Sequence, residues 1–354
     1  MVYLNNKKYN GVDFNMSSAH QKREHQKHFI IRKFFKAIKR EIIKKKKKDL
    51  IEYRNTEIKT QKIIAPKNFS ISENLIETLE FFEKIKNHCN ESRKKLVVDM
   101  KNIENVKIDA LMYLKYLVYE TKEIKRKNIL LSFRSPKNKE LRDFIHSSGF
   151  VTYTKGSKFV DSAKKKFSYV HQAEMPEFDQ NKNFKIKRGS TLEKETIKKI
   201  IDFAREKKDN EKFMFLYNMI SELMENTVFH AYYDNQKIEH KDWYIFAEHN
   251  HNILSFVFLD TGLGIPKTVR KKFSDKITFK SHSDLLLSTL RGEQRTQTQE
   301  KFRGKGLPFV FEQFCSNTIS NLRIISNHSC YNINENNDIE KELQGTLFYW
   351  EIHI

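Results

Sequence analysis

The sequence predicts an α/β protein. Its C-terminal part is an α/β sandwich with a mixed, mostly antiparallel sheet and helices on one face; a small α/β domain and a basic N-terminal helix precede it. Three observations predict this. Short β-branched runs alternate with helix-period runs between Ile71 and Val151. Two apolar strand segments, Trp243–Ala247 and Ile253–Leu259, flank turn residues in the manner of an antiparallel hairpin. Glycine pairs follow a strand end at Asp260 and open a helix after Gly304. A chain of 354 residues has room for this organisation, read as 1–65, 66–175 and 176–354.

Composition narrows the class. The hydrophobic share is 38%, with Phe 28 and Tyr 14 supplying large apolar side chains, so neither collagen-like nor wholly disordered character fits. Lys and Arg number 66 against 45 Asp and Glu, a net charge of +21. Such a surface attracts DNA, RNA or anionic lipid without selecting among them, because lysine is a point charge lacking a rigid recognition fork. A compositional bias of the source genome would leave the same lysine and asparagine excess. Cys89, Cys315 and Cys330 have neither metal-ligand spacing nor the density of a disulfide scaffold, which suits a reducing compartment. Met1 to Asn15 lacks an apolar signal core, and no run approaches the roughly 18 apolar residues that span a bilayer. A soluble, cytoplasmic protein is expected.

Taken in order, residues 22–53 repeat apolar positions (Phe29, Ile30, Phe34, Phe35, Ile38, Ile42, Ile43) at helical spacing. Arg32, Lys33, Lys36, Lys39 and Arg40 lie opposite, and the run Lys44–Lys48 follows. The helix suits nucleic acid or an anionic surface; equally, its stripe packs on the protein while the lysines face water. Pro66 breaks to the second region. Helices are expected over Ile71–Cys89, Asp109–Tyr119 and Lys139–Ser147, and strands over Lys95–Met100 and Ile129–Phe133. The strand into Asp99 followed by Val106-Lys-Ile-Asp109 resembles the sulfate-transporter and anti-sigma-antagonist (STAS) domain. That family can carry a phosphorylated serine at this helix start. Here Ile108, Asp109 and Ala110 offer no hydroxyl, so the resemblance implies a constitutive docking module for a protein partner.

The charged stretch Glu174–Arg188 reads as a linker. Beyond it, helices are expected over Leu192–Ala204, Phe213–Tyr233 and Leu307–Cys315, strands over Leu322–Ile325 and Thr346–Ile352, and a surface loop over Asn332–Asp338. Glu222, Asn226 and His230 recur one turn apart on one helix face. Asn is a poor helix-interior residue, and an amide oxygen is a fitting Mg²⁺ ligand. A glutamate one turn earlier can polarise or hold a water. Taken alone, these residues read more readily as solvent-facing Glu222 and Asn226, with His230 hydrogen-bonded to a nearby loop. Asp260 ends an apolar strand and precedes Gly262 and Gly264, where a carboxylate can accept from an exocyclic amine and glycines let a ligand approach closely. An ordinary capped turn is the plainer reading. Gly304 and Gly306, flanked by Arg303 and Lys305, open a helix in the way that presents N–H groups to phosphate. Gly345-Thr346 runs into the last apolar strand.

The four elements in this order resemble the ATPase superfamily of DNA gyrase, Hsp90, bacterial histidine kinases and MutL over residues 189–354. The resemblance implies ATP and Mg²⁺ as ligands, with Asn226 on the metal and Glu222 as base or water holder. It implies Asp260 on the adenine amine with Gly262 and Gly264 beside the base, Gly304 and Gly306 at the phosphates, and Thr346 supporting the adenine through water or Asp260. The segment between Pro266 and Gly304 corresponds to the family's mobile lid, whose Leu285–Leu290 run suggests a short helix; Arg303 and Lys305, then Arg295, are its favoured phosphate contacts. With eight residues after Thr346, the second domain by which gyrase and MutL supply a further lysine is not expected here. Neither His146 nor His171 lies in a long dimerisation helix, which disfavours a self-phosphorylating kinase. Three functions stay open: a regulatory ATPase or ATP-driven switch, an anti-sigma-type serine kinase acting on a partner, or a non-catalytic scaffold or nucleic-acid-binding protein. The sequence does not say whether phosphate is released or transferred. A second copy of the chain is a further candidate partner.

Overall fold

The structure is a computed structural model that describes residues 33, 40–41, 44, 60–91, 95–121, 131–150, 159–160, 184–207, 213–230, 242–272, 280–293 and 306–354. Internal contacts divide the chain into Met1–Lys59 and Thr60–Ile354. In the first unit Lys33, Arg40, Glu41 and Lys44 are helical and exposed; the rest of the expected basic helix lies outside the described residues. Deleting residues 1–55 is expected to lower affinity for DNA and to flatten the dependence of log K on log salt, as titrations at several salt concentrations would read. An unchanged slope would remove the basic segment from polyanion binding.

The second unit opens with a parallel sheet ordered β1-β3-β5-β6, comprising β1 (Gln61–Ile64), β3 (Leu96–Asp99), β5 (Leu131–Arg134) and β6 (Phe159–Val160). A short parallel pair, β2 (Asn68–Phe69) with β4 (Asn105–Val106), lies beside it. Parallel neighbours need crossovers, here α1 (Leu75–Glu91) between β1 and β3 and α2 (Ile108–Tyr119) between β3 and β5. α3 (Lys139–Ser147) starts where expected because the Asn138 side chain accepts from Glu140 N at 2.7 Å and Leu141 N at 3.3 Å.

Every residue of α2 from Ile108 to Val118 is buried. A helix buried all round needs neighbours on all sides, and α2 has them. The core around it combines Leu96, Val98 and Phe133 of the parallel sheet with Tyr244, Phe246, Val257, Leu259 and Leu347 of a second sheet. Even its charged residues are enclosed. The Asp109 carboxylate accepts from Ile71 N, Ser72 N and Ala110 N, and burial raises its pKa despite those bonds. Lys115 Nζ donates to Gly149 O at 2.6 Å; burial, then the nearby Arg188 charge, lowers its pKa to about 7.

The second sheet is ordered β10-β11-β9-β8-β7, comprising β7 (Phe184–Gly189), β8 (Trp243–Asn250), β9 (Ile253–Asp260), β10 (Ser320–Tyr331) and β11 (Asn336–His353). All four pairings are antiparallel, so this sheet is not mixed. Side chains alternate across it. On β9, Val257 and Leu259 face α1 and α2. Phe256 and Phe258 face the opposite core with α4 (Lys194–Lys207), α5 (Met214–Glu225) and α8 (Gly306–Cys315). Helices therefore cover both faces rather than one. Phe256 stacks on Trp350 with centroids 5.2 Å apart, and a fully buried Phe stabilises by roughly 1.5–3 kcal/mol.

Three further differences from the sequence reading have physical reasons. β7 occupies part of the expected linker, its charges tolerated on an edge strand. The loop after β10 is shorter than expected, since Asn336, Asn337 and Asp338 pair with Tyr331, Cys330 and Ser329. Finally, α7 (His282–Leu290), which the resemblance places in the lid segment, packs into the core: Leu286 and Leu290 are 0% exposed in the same core as α5, and Ser281 with Asp284 forms a complete capping box. α6 (Ile265–Lys272) lies between this helix and the Asp260 turn.

Candidate functional site

The alternation that sends Phe258 toward α5 sends Asp260 the same way. Its cross-strand partners are Trp243 on β8 and Thr346 on β11, and Thr346 is itself paired with Ser326 on β10. A polar row, Asp260–Thr346–Ser326, thus crosses the helical face at one end of the sheet. Thr346 is 0% exposed, and its Oγ1 lies 2.9 Å from Ser326 Oγ. Asp260, 9% exposed, accepts from Gly262 N through Oδ1 at 2.5 Å. Burial outweighs that bond and pushes the carboxyl up to about 7. A single N–H is thin compensation for a buried carboxylate, so the group can accept another donor.

The turn after Asp260 is pinned at several points. Thr261 N and Thr261 Oγ1 both donate to Asp242 O, at 3.1 and 2.8 Å. Asn327 Nδ2 donates to Leu263 O at 2.7 Å, and its Oδ1 accepts from Lys267 N at 3.2 Å. Ile265 N donates to Ser326 Oγ at 2.8 Å. Gly264, at φ +86°, has no room for a Cβ, which would lie 2.5 Å from Asn327 Nδ2.

α5 supplies the other half of the site. Leu216, Met219, Ile220 and Leu223 bury one side of the helix, leaving Glu222 and Asn226 partly exposed on another. At Asn226 the α-helix passes into one π-helical turn, Asn226–His230, a distortion common at functional sites. Gly306, the first residue of α8, packs directly on this face: a Cβ there would lie 2.4 Å from Glu222 Oε2 and 3.1 Å from Asn226 Nδ2. Asn226 Nδ2 is buried without a hydrogen-bond partner. An amide carries two donors on its nitrogen, and here that end is left without a partner. Burial, then repulsion from Glu225, raises the Glu222 pKa.

The structure therefore brings Glu222, Asn226 and Gly306 together, and separately Asp260, Gly262, Gly264 and Thr346; the elements that carry the two groups, α5 and β9, pack their apolar side chains in one core. Arg295, Arg303, Gly304 and Lys305 lie outside the described residues, as does the His230 side chain. A cavity of about 380 Å³, lined by Leu79, Phe82, Lys86, Gly262, Leu263 and Gln344 among others, adjoins the turn. Of the candidate site residues Gly262 lines it, while Glu222, Asn226, Asp260, Gly306 and Thr346 do not.

Sequence reasoning missed Ser326, Asn327 and Asp242. Ser326 and Asn327 break an apolar strand, and Asn327 has φ +52°; two polar residues at the end of Ile324-Ile325 were the available signal. Asp242 directly precedes a strand whose far partner is Asp260, so only the register reveals it. No family model, no curated protein and no solved structure matches the chain.

Proposed function

We propose that the chain is an Mg²⁺-dependent, ATP-binding regulatory ATPase of the gyrase, Hsp90, histidine-kinase and MutL kind, in which nucleotide acts as a switch. One observation carries the reading. A carboxylate is buried at a strand end in register with a buried threonine, and the apolar residues of that strand share a core with a helix whose Glu222 and Asn226 abut a helix-opening glycine. Three features suit the ligand. Asp260 has capacity to accept an amine N–H; the Asn226 amide has an unpartnered end; and Gly306, at the start of a helix, leaves no Cβ over the Glu222–Asn226 face. Among the described residues no group of three His, Cys, Asp or Glu could hold a metal. A single amide oxygen suits Mg²⁺, which is bound largely by water and by nucleotide phosphates.

In this reading Asn226 holds the metal, Glu222 orients or deprotonates the attacking water, and Asp260 with Thr346 reads the base. Gly262 and Gly264 flank the base, and Arg303, Gly304, Lys305 and Gly306 surround the phosphates. The metal, when bound, neutralises charge on the terminal phosphates. Glu222 must be ionised to act as a base, so its raised pKa predicts a turnover that falls toward acid pH.

Calorimetry and phosphate release test the assignment. Asn226→Ala is expected to lose at least tenfold in Mg²⁺-dependent ATP affinity. Glu222→Gln is expected to keep ATP while losing about 10²–10⁴ in turnover. Absence of heat with Mg·ATP on folded wild type would end the proposal. γ-Labelled ATP separates phosphate released to water from phosphate carried to a serine on a partner.

A further inference from the structure

The glycine turn is tied to the parallel-sheet half of the unit. Asp242 O takes both bonds from Thr261, and its carboxylate, in a residue 1% exposed, accepts from Arg188 Nη2 at 2.9 and 3.1 Å. Arg188 lies on β7, whose Arg188 and Gly189 pair with Tyr244 and Trp243. Its guanidinium carbon sits 3.7 Å from the centroid of the Tyr119 ring, and Nη2 also donates to Tyr119 Oη at 2.6 Å. Tyr119 is the last residue of α2. A continuous set of contacts therefore runs from α2 through Arg188 and Asp242 to Thr261, next to Asp260.

We infer that Arg188 is a positioning residue for base recognition: through Asp242 and Thr261 it fixes where the Asp260 carboxylate and the Gly262 N–H stand. The inference rests on the ATP reading and deepens it. An isolated strand end would let the turn rock about its glycines. Here Thr261 is held by two bonds to one carbonyl, and the residue bearing that carbonyl is clamped by a charge-assisted pair. Arginine suits the place because its planar group stacks on the Tyr119 ring while Nη2 reaches the Asp242 carboxylate, and lysine has no plane to stack. The consequence is chemical. A carboxylate placed to accept from the adenine amine confronts a carbonyl oxygen in guanine, so base selectivity depends on how sharply Asp260 is positioned.

The experiment measures Kd for Mg·ATP, Mg·GTP and inorganic triphosphate on the full chain. The proteins are wild type, Arg188→Met, Thr261→Val, Thr261→Ser and Asp260→Asn. Arg188→Met and Thr261→Val are expected to reduce the ATP-over-GTP preference about tenfold, with triphosphate affinity unchanged. Thr261→Ser, which keeps the hydroxyl, retains the preference. A merely structural role would weaken all three ligands together and leave the preference intact. An unchanged preference in Thr261→Val and Arg188→Met, beside a lost preference in Asp260→Asn, would overturn the inference and leave the ATP reading standing. Wild type that binds ATP and GTP alike would overturn the inference alone, whereas folded wild type that binds none of the three ligands would overturn both. Should Arg188→Met fail to fold, Arg188→Lys, which keeps a cation beside Asp242 but not the plane on Tyr119, is measured in its place: a reduced preference supports the inference and an unchanged one overturns it.

Discussion

Asp260→Asn is expected to abolish tight ATP binding and, at the same time, to make the nucleotide-free protein more stable above neutral pH. The two effects share one cause. The carboxyl ordinarily titrates at 3.8 and is pushed to about 7 in the fold by burial, against a single N–H bond from Gly262. Between those values the native chain holds a proton that the unfolded chain has released, so stability falls as pH rises through that window. Above pH 7 the cost is fully present; below pH 4 it vanishes. A shift of this size corresponds to at most about 4 kcal/mol. Asparagine is neutral throughout and can keep the bond from Gly262 N, so the variant's advantage should open between pH 4 and 7 and level off beyond. Urea unfolding at pH 4, 5.5, 7 and 8 reads it directly. Saturating Mg·ATP should reverse the order at pH 8, because only the wild type gains binding energy. On the ligand side a loss on the order of 100-fold is expected, since the amide presents a donor where the adenine amine needs an acceptor. A variant that binds ATP normally, or that is less stable than wild type at every pH, would remove Asp260 from the site.

Much of the architecture was legible because local and global preferences agree. Asn138 caps α3, and the two apolar runs of the Trp243–Asp260 hairpin pair in unbroken register around their turn. The pairing of Asp260 with Thr346 could be expected only by resemblance, since register between strands far apart in sequence leaves no local trace. Other parts were hidden for identifiable reasons. Phe184–Gly189 reads as a linker because an edge strand may carry lysines on its solvent face. Leu285–Leu290 reads as a lid helix because a short apolar run does not say what it packs on; its leucines enter the core beneath the site. The enclosure of α2 between two sheets shows only in retrospect in Ala110-Leu-Met-Tyr-Leu114, which lacks a polar face. Arg188 and Asp242 could not be found by motif at all, because their role lies in joining segments that the sequence keeps apart.

Gly345→Ala is expected to destabilise the unit strongly, and comparison with Gly306→Ala shows why. Gly345 sits within β11 at φ +89°, and a Cβ there would lie 2.0 Å from Asp260 O and 3.1 Å from Thr261 Cα. Both obstacles are backbone, and both belong to the strand end that carries the carboxylate. Positive φ costs a β-carbon residue about 1 kcal/mol, and overpacking against an immovable neighbour adds about 1–3 kcal/mol. A loss of about 2–4 kcal/mol follows, visible as a lower urea midpoint at constant slope. Nucleotide affinity should fall with it, because relief requires β9 and β11 to separate where Asp260 faces Thr346. At Gly306 the new Cβ would meet the end of the Glu222 side chain at 2.4 Å. That carboxylate can swing aside, so stability should change by less than about 1 kcal/mol while turnover falls as far as in Glu222→Gln. If instead Gly306→Ala unfolds early and Gly345→Ala does not, the glycine at 345 is no close approach to β9, and the polar row across the sheet end loses its geometry.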